Sequence, residues 1–169
     1  MTDHPITTER LTLRPFGEAD GPRVVALLND FEVSKWLARV PHPFTLRDLR
    51  IQGPNGESRW PGLMAVDCEG AVVGAVSAGD RLGYWLTPSA WGRGIATEAA
   101  RAAVDYSFGT MGCDEISSGY LLGNDGSRRV LTKLGFRETR LTQESIAARP
   151  GLFDHMGMCL TRAQWEAAQ

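Results

Sequence analysis

Cysteine is scarce in this 169-residue chain, and what there is lies in the wrong pattern for the chemistries that need it. Cys68, Cys113 and Cys159 are odd in number, widely separated and form no C-x-x-C pair. That argues against a disulfide framework and against a cysteine-built zinc site, and no metal is expected. Small, partly buried thiols in a reducing compartment are the plain reading. No apolar run approaches the roughly 20 residues that a bilayer-spanning helix needs. Met1 to Arg10 carries charges and Pro5 without an apolar centre, so it does not read as a signal peptide. There is no basic block: 18 basic and 20 acidic side chains leave a net charge of −2. Neither a nucleic-acid backbone nor an anionic membrane is indicated as a partner. A soluble, cytoplasmic protein is expected.

What is present is ordinary globular material, 43% hydrophobic and 22% charged, enough for one domain over residues 1–169. Leu11 and Leu13 alternate with polar neighbours in a strand over Arg10–Phe16. Val24, Leu27 and Leu28 recur at helical spacing within Glu18–Asp30, and Val33, Trp36 and Leu37 continue an apolar stripe. Two prolines keep Pro41–Phe44 out of a helix, and Thr45 is placed to cap one starting at Leu46. Gly53–Gly62 is a loop by composition. Three strands follow, Leu63–Asp67, Ala71–Ser77 and Arg81–Thr87, with Glu69-Gly70 and Gly79-Asp80 between them, so an antiparallel meander is predicted. From Gly94 to about Thr110 the period turns helical, with Ile95, Ala99, Ala103 and Tyr106 on one face. Glu115–Leu121 reads as a strand, Ser127–Leu134 as a helix closed by Gly135, and Phe136–Leu141 and Leu152–Leu160 as strands. Arg162–Ala168 is a helical tail. The order predicts a mixed α/β sheet.

The most informative stretch is Y-W-L-T-P-S-A-W-G-R-G-I-A-T-E-A-A, from Tyr84 to Ala100. A strand ends at Pro88 and a glycine-bearing turn feeds directly into a helix. Gly92 and Gly94 let the backbone curl with its N–H groups converging, and the helix start adds unpaired N–H groups and a positive dipole end. That is a site for a pyrophosphate, though a glycine turn with no ligand has the same letters. A dinucleotide fold is disfavoured, because Thr97 replaces the third glycine of G-x-G-x-x-G and Asp114 precedes the strand it should end.

This segment resembles the pyrophosphate loop of the GNAT acetyltransferases, Q/R-x-x-G-x-G/A, with Trp91, Gly94 and Ala96 at its defining positions. Its W-G-x-G-x-A-T-E-A form is similar to the RimJ/RimL-like branch. So are R-L-T-L-R-P at Arg10–Pro15, P-H-P-F-T-L-R-D at Pro41–Asp48 and N-D-G-S-R-R-V-L-T-K-L-G-F at Asn124–Phe136. The resemblance implies a mostly antiparallel central sheet with a splayed parallel pair, Arg81–Thr87 and Glu115–Leu121, flanked by helices. It implies acetyl-CoA as cosubstrate, a primary amine as acceptor, and an association into homodimers as an option. The pantetheine arm would pair with the backbone at Leu86 and Thr87. Trp91, Gly92, Arg93, Gly94, Ile95, Ala96 and Thr97 would hold the pyrophosphate, and Asn124 the pantetheine amide.

The resemblance also implies roles for the chemistry. Many relatives protonate the leaving thiolate from a tyrosine four residues before the glycine of L-G-F; here that position is Leu131. The branch's alternative donor is the serine of N-x-x-S, here Ser127, although Asn124 and Ser127 also suit a simple helix start. The usual general-base glutamate position, two residues before G-Y-W-L, is Arg81. His42, Asp80 and water remain as bases, with His155 and His4 behind them. The acceptor is then a protein or peptide N-terminal α-amine, or alternatively a small amine such as an antibiotic, a polyamine or an amino-acid derivative. A catalytically silent acyl-CoA-binding module is the reading from another class.

Overall fold

A computed structural model describes residues 5–49 and 62–169. Most of the loop expected over Gly53–Gly62, including Trp60, lies outside the described residues.

Five antiparallel strands come first in space: β1 (Ile6–Thr7), β2 (Leu11–Arg14), β3 (Leu63–Cys68), β4 (Ala71–Ser77) and β5 (Tyr84–Leu86), ordered as in the chain. The meander expectation holds, but its third strand is shorter than Arg81–Thr87. Pairing with β4 ends at Gly83, whose carbonyl still accepts Ser77 N–H, and Arg81 instead makes a parallel bridge to Ser117. The second sheet holds β6 (Glu115–Leu121), β7 (Arg137–Ile146) and β8 (Arg149–Thr161), with β8 in the middle. β7 and β8 form one long hairpin, longer at the turn than Phe136–Leu141 and Leu152–Leu160 implied. The exposed run Arg137–Gln143 offers little apolar alternation to read, and cross-strand pairing extends it regardless.

The helices are α1 (Gly21–Leu28), α2 (Phe31–Ser34), α3 (Leu46–Leu49), α4 (Ile95–Gly109), α5 (Asp125–Lys133) and α6 (Arg162–Glu166). The helix expected over Glu18–Asp30 is divided, because Glu18–Asp20 forms a 3-10 turn before Pro22 opens α1 in its first turn. Strand alternation sorts the core onto two faces. Met64, Val66 and Val76 point to one, where Ala99, Ala100 and Ala103 of α4 are fully buried and let the helix settle close to the sheet. Ala65 and Val72 point to the other, under Val24 and Leu28 of α1 and Phe44. Ile116, Tyr120, Met158 and Leu160 join the α4 side. Ser117, Gly119 and Leu121 of β6 therefore face the α1 side. Side chains such as Phe108 and Leu131 are almost wholly removed from water, each stabilising the fold by about 1.5–3 kcal/mol.

Candidate active site

The two sheets touch at one point and then part. Asp80 O accepts from Ser117 N–H at 2.8 Å and from Ser117 Oγ–H at 3.0 Å. Leu82 N–H donates to Ser117 O at 2.9 Å, and Ser118 Oγ–H to Leu82 O at 2.9 Å. Beyond Leu82 and Ser118 no ladder joins β5 to β6, so a V-shaped cleft opens between them. The amides lining it follow from antiparallel alternation. Ser77 N–H bonds Gly83 O and Thr87 N–H bonds Val73 O, both at 2.8 Å, so residues 83, 85 and 87 turn to β4. Tyr84 and Leu86 turn to the cleft. Leu86 thus presents its N–H to the cleft rather than to β4. Thr87, expected beside it, has its N–H committed to Val73 and its carbonyl to Ala90 N–H at 3.0 Å. The Leu86 carbonyl receives the indole N–H of Trp91 at 2.8 Å, which ties the glycine turn to the strand end.

At the mouth of the cleft, Pro88–Ala90 makes a single 3-10 turn and the chain swings into α4. Gly92 and Gly94 take φ of 72° and 79°, the left-handed region that favours glycine. Gly94 is the N-cap and has no side chain to offer, so the N–H groups of Ile95, Ala96 and Thr97 stay unclaimed by any cap; the helix ladder begins with Glu98 N–H on Gly94 O at 3.0 Å. Ile95 itself anchors the turn, being 1% exposed. The 15-residue helix thus starts with unclaimed N–H groups at the positive end of its dipole, an arrangement able to receive an anion.

Glu98 in that first turn works against an anion, and Arg10 offsets it. Arg10 pairs with Glu98 at 2.6 Å, its N–H and Nε also bond the carboxylate, and its Nη1 donates to Arg93 O at 3.0 Å. Thr8 Oγ1–H adds a bond at 2.6 Å. Desolvation raises the Glu98 carboxyl, but the bonds from Thr8 and Arg10 outweigh it and hold the group below its usual range. Arg10 was legible only as a strand residue, since its partner lies 88 positions away. Arg93 is exposed, contributing its carbonyl to this clamp.

On the α4 side of the cleft, Asn124 caps α5 through Oδ1, which accepts Ser127 N–H at 3.1 Å. Its side-chain NH2 is left as the group that can meet a ligand amide. α5 begins at Asp125, two residues ahead of expectation, because this cap sets the start. Ser127 Oγ lies 2.9 Å from the hydroxyl of Tyr84, which also stands 3.2 Å from Ser127 O. Burial pushes the Tyr84 phenol up to about 12, against the hydrogen bond with Ser127 that lowers it. Tyr84 therefore stays protonated at neutral pH, and its one O–H can point to Ser127 O or to Ser127 Oγ, with either hydroxyl able to donate across the 2.9 Å contact. Leu131 is fully buried core, so no hydroxyl is supplied from that position. The cleft acquires a tyrosine all the same, from β5, through a tertiary contact that no local motif encodes.

Two of the expected bases, His42 and Asp80, lie apart from Ser127. His42 is exposed, 3.4 Å from Ser34 Oγ through Nδ1 and edge-on to Phe31. Asp80 is exposed behind the closed end of the V. Among the described residues no three His, Cys, Asp or Glu side chains converge as a metal site, and no helix is long and apolar enough to cross a membrane.

These features agree with known proteins. The family profile described as Acetyltransferase (GNAT) domain matches residues 10–137. YdaF of Bacillus subtilis (strain 168), provisionally named a ribosomal N-acetyltransferase, is 24% identical over 175 residues, covering 94% of each chain. Mycobacterium smegmatis RimJ, solved in complex with CoA-disulfide, superposes with a TM-score of 0.75 at 21% identity, over 98% of this chain and 92% of RimJ. Spermidine N-acetyltransferase from Vibrio cholerae, solved with CoA and spermine, superposes with a TM-score of 0.77 at 18% identity, over 94% of this chain and 99% of that one. A split sheet, a glycine turn opening a helix, and a match over most of the sequence converge on one assignment: the chain belongs to the GNAT acetyltransferase family.

Proposed function

We propose that this enzyme transfers the acetyl group of acetyl-CoA to the N-terminal α-amine of a protein or peptide, by direct attack of the amine on the thioester. The observation that carries the reading is the continuity of the glycine turn with the free edge of β5. The N–H groups of Ile95, Ala96 and Thr97 offer donors to a pyrophosphate. The cleft-facing amide of Leu86 then offers a strand edge to an extended arm, as in strand addition. Asn124 can bond an amide of that arm through its free NH2. Ser127 Oγ–H can hand its proton to the departing sulfur, while Tyr84 donates to Ser127 Oγ and polarises it. A phenol held at about 12 keeps that donor proton across the working pH range.

The α-amine is favoured because no carboxylate occupies the usual base position, Arg81. At pH 7 an α-amine of pKa about 7.8 is already some 14% neutral, whereas a lysine amine of about 10.4 is only about 0.04% neutral. An acceptor that is already partly neutral asks less of whatever base the site supplies. The superposition with a spermidine acetyltransferase supports the second reading, a small amine acceptor. Thiol release from acetyl-CoA tests both, on peptides with free and blocked N-termini, lysine, polyamines and an aminoglycoside. Free α-amines should turn over fastest. Turnover of a small amine alone would establish the second reading, and CoA binding without turnover on any amine would leave an acyl-CoA-binding module.

A further inference from the structure

Resting on that acetyl-transfer reading, we infer that His155 is the general base that takes the proton from the attacking amine. His155 is on β8, opposite Leu121 of β6 and Thr142 of β7. Its register puts the imidazole on the α1 side of the sheet, the side opposite Ser127 and Tyr84. The ring does not stand upright beside Leu121. It lies across β6 over Gly119, with Cε1 and Nε2 in the space a Cβ would fill, so any larger residue at 119 would overlap it. Gly119 is the first residue of β6 past the closed end of the V. Nδ1 is 3.4 Å from Glu144 Oε1 on β7, and the side chain is 14% exposed within the wall of the cleft.

This arrangement has the parts of an oriented base. A carboxylate holds one nitrogen, a glycine seats the ring, and the other nitrogen reaches the place where the two strands separate. It also divides the two proton transfers between the faces of the sheet. The amine nitrogen attacks the thioester carbonyl carbon from the α1 side and its proton passes to Nε2 of His155. The C–S bond breaks, and the sulfur takes the Ser127 proton on the α4 side. His155 returns its proton to solvent and Ser127 regains one, so the cycle closes with one amide and one thiol formed. On the face around the imidazole, β6 presents Gly119 and Leu121, β7 Thr142 and Glu144, and β8 Phe153. Arg149 is the next cation along, stacked on Phe153 at 3.8 Å from the ring centroid. Glu144 is the carboxylate paired with His155, at 3.4 Å from Nδ1.

The test uses the full-length enzyme with acetyl-CoA and the best amine of the panel. His155→Gln should lower kcat/KM by about 10²-fold or more, leave CoA affinity unchanged, and abolish the acidic limb of the pH–rate profile. In His155→Ala, added imidazole should restore turnover, which a packing role would not allow. Glu144→Gln should lower kcat and leave CoA affinity unchanged, because the imidazole loses the carboxylate that orients Nδ1; this arm stands even if the His155 variants fail to fold. Turnover of His155→Gln within about twofold of wild type would overturn the inference. So would lost turnover with an unchanged acidic limb and no imidazole rescue. Wild-type enzyme inactive on every amine would instead sink the acetyl-transfer reading itself.

Discussion

The hydroxyls of Ser127 and Tyr84 stand 2.9 Å apart across 43 residues of sequence, one at the start of a helix and one on the edge strand of a cleft. In the donor role proposed for Ser127, a neighbouring phenol that cannot ionise near neutrality would strengthen the serine by donating into its oxygen. Ser127→Ala should lower kcat by about 10²-fold with CoA affinity nearly intact, and Tyr84→Phe by about tenfold. With the phenol at about 12, its proton is held until pH passes well above 10. The rate should therefore show no basic limb that disappears in Tyr84→Phe below pH 10. Wild-type turnover in Ser127→Ala would reduce the serine to a helix-start residue.

Gly94 is the position where the turn tolerates no substitute. At φ of 79° a β-branched residue is strained, by about 1–2 kcal/mol, and its side chain would project toward the Arg10 guanidinium 3.4 Å away. Gly94→Val should fold, because the turn is on the surface, and should weaken CoA binding by more than about tenfold. Calorimetry showing unchanged affinity in the folded variant would remove the phosphate-loop assignment.

The clamp beneath the same turn makes a sharper electrostatic prediction. Arg10→Ala exposes the α4 N-terminus to an uncompensated Glu98, so CoA affinity at low salt should fall by about fivefold. Adding Glu98→Gln should recover most of that loss, since the unwanted charge then goes too. High salt should shrink both effects. A double variant as weak as Arg10→Ala would show that Arg10 acts by contact rather than by charge.

Acid stability should register a second charged cluster. The hydrogen bonds from Arg14 hold the Asp20 carboxyl below its ordinary value, against desolvation, with help from Gly17 N–H. A depressed carboxylate contributes stability that is complete above its unfolded pKa, near 3.9, and is lost as pH falls through the lower folded value. The melting temperature should stay flat from about pH 7 to 5 and drop below about 4. Asp20→Asn should start lower and drop less. An identical acid slope in wild type and variant would place the acid-sensitive group elsewhere.

Much of the framework was readable from residue order. Ile95, Ala99 and Ala103 marked the buried face of α4, and Leu11 and Leu13 the buried side of β2, because burial imposes a period on apolar residues. Tyr106 belonged to that stripe by spacing but is only half-buried, and Ser107 and Phe108 take its place in the core. Ends were read less well. The division at Pro22 and the start of α5 depend on caps, and the β7–β8 hairpin on pairing between polar strands. The site was legible only where it is local: the turn from Trp91 to Thr97 and the Asn124–Ser127 element are continuous in sequence. Arg10 beside Glu98 and Tyr84 beside Ser127 are made by the packing of distant elements. No spacing rule reaches across such distances.

A strand edge left open in the middle of a sheet carries the same hazard as one at its rim, since both invite foreign chains to pair. In this protein the hazard is turned inward and partly covered. The indole of Trp91 already holds the Leu86 carbonyl at 2.8 Å, so an invading peptide would find one of that residue's two bonding groups taken. Trp91 thus acts as a guard as well as a brace. At 45% exposure it is also a reporter: its fluorescence should change when the turn engages an anion and stay constant when an acceptor binds alone.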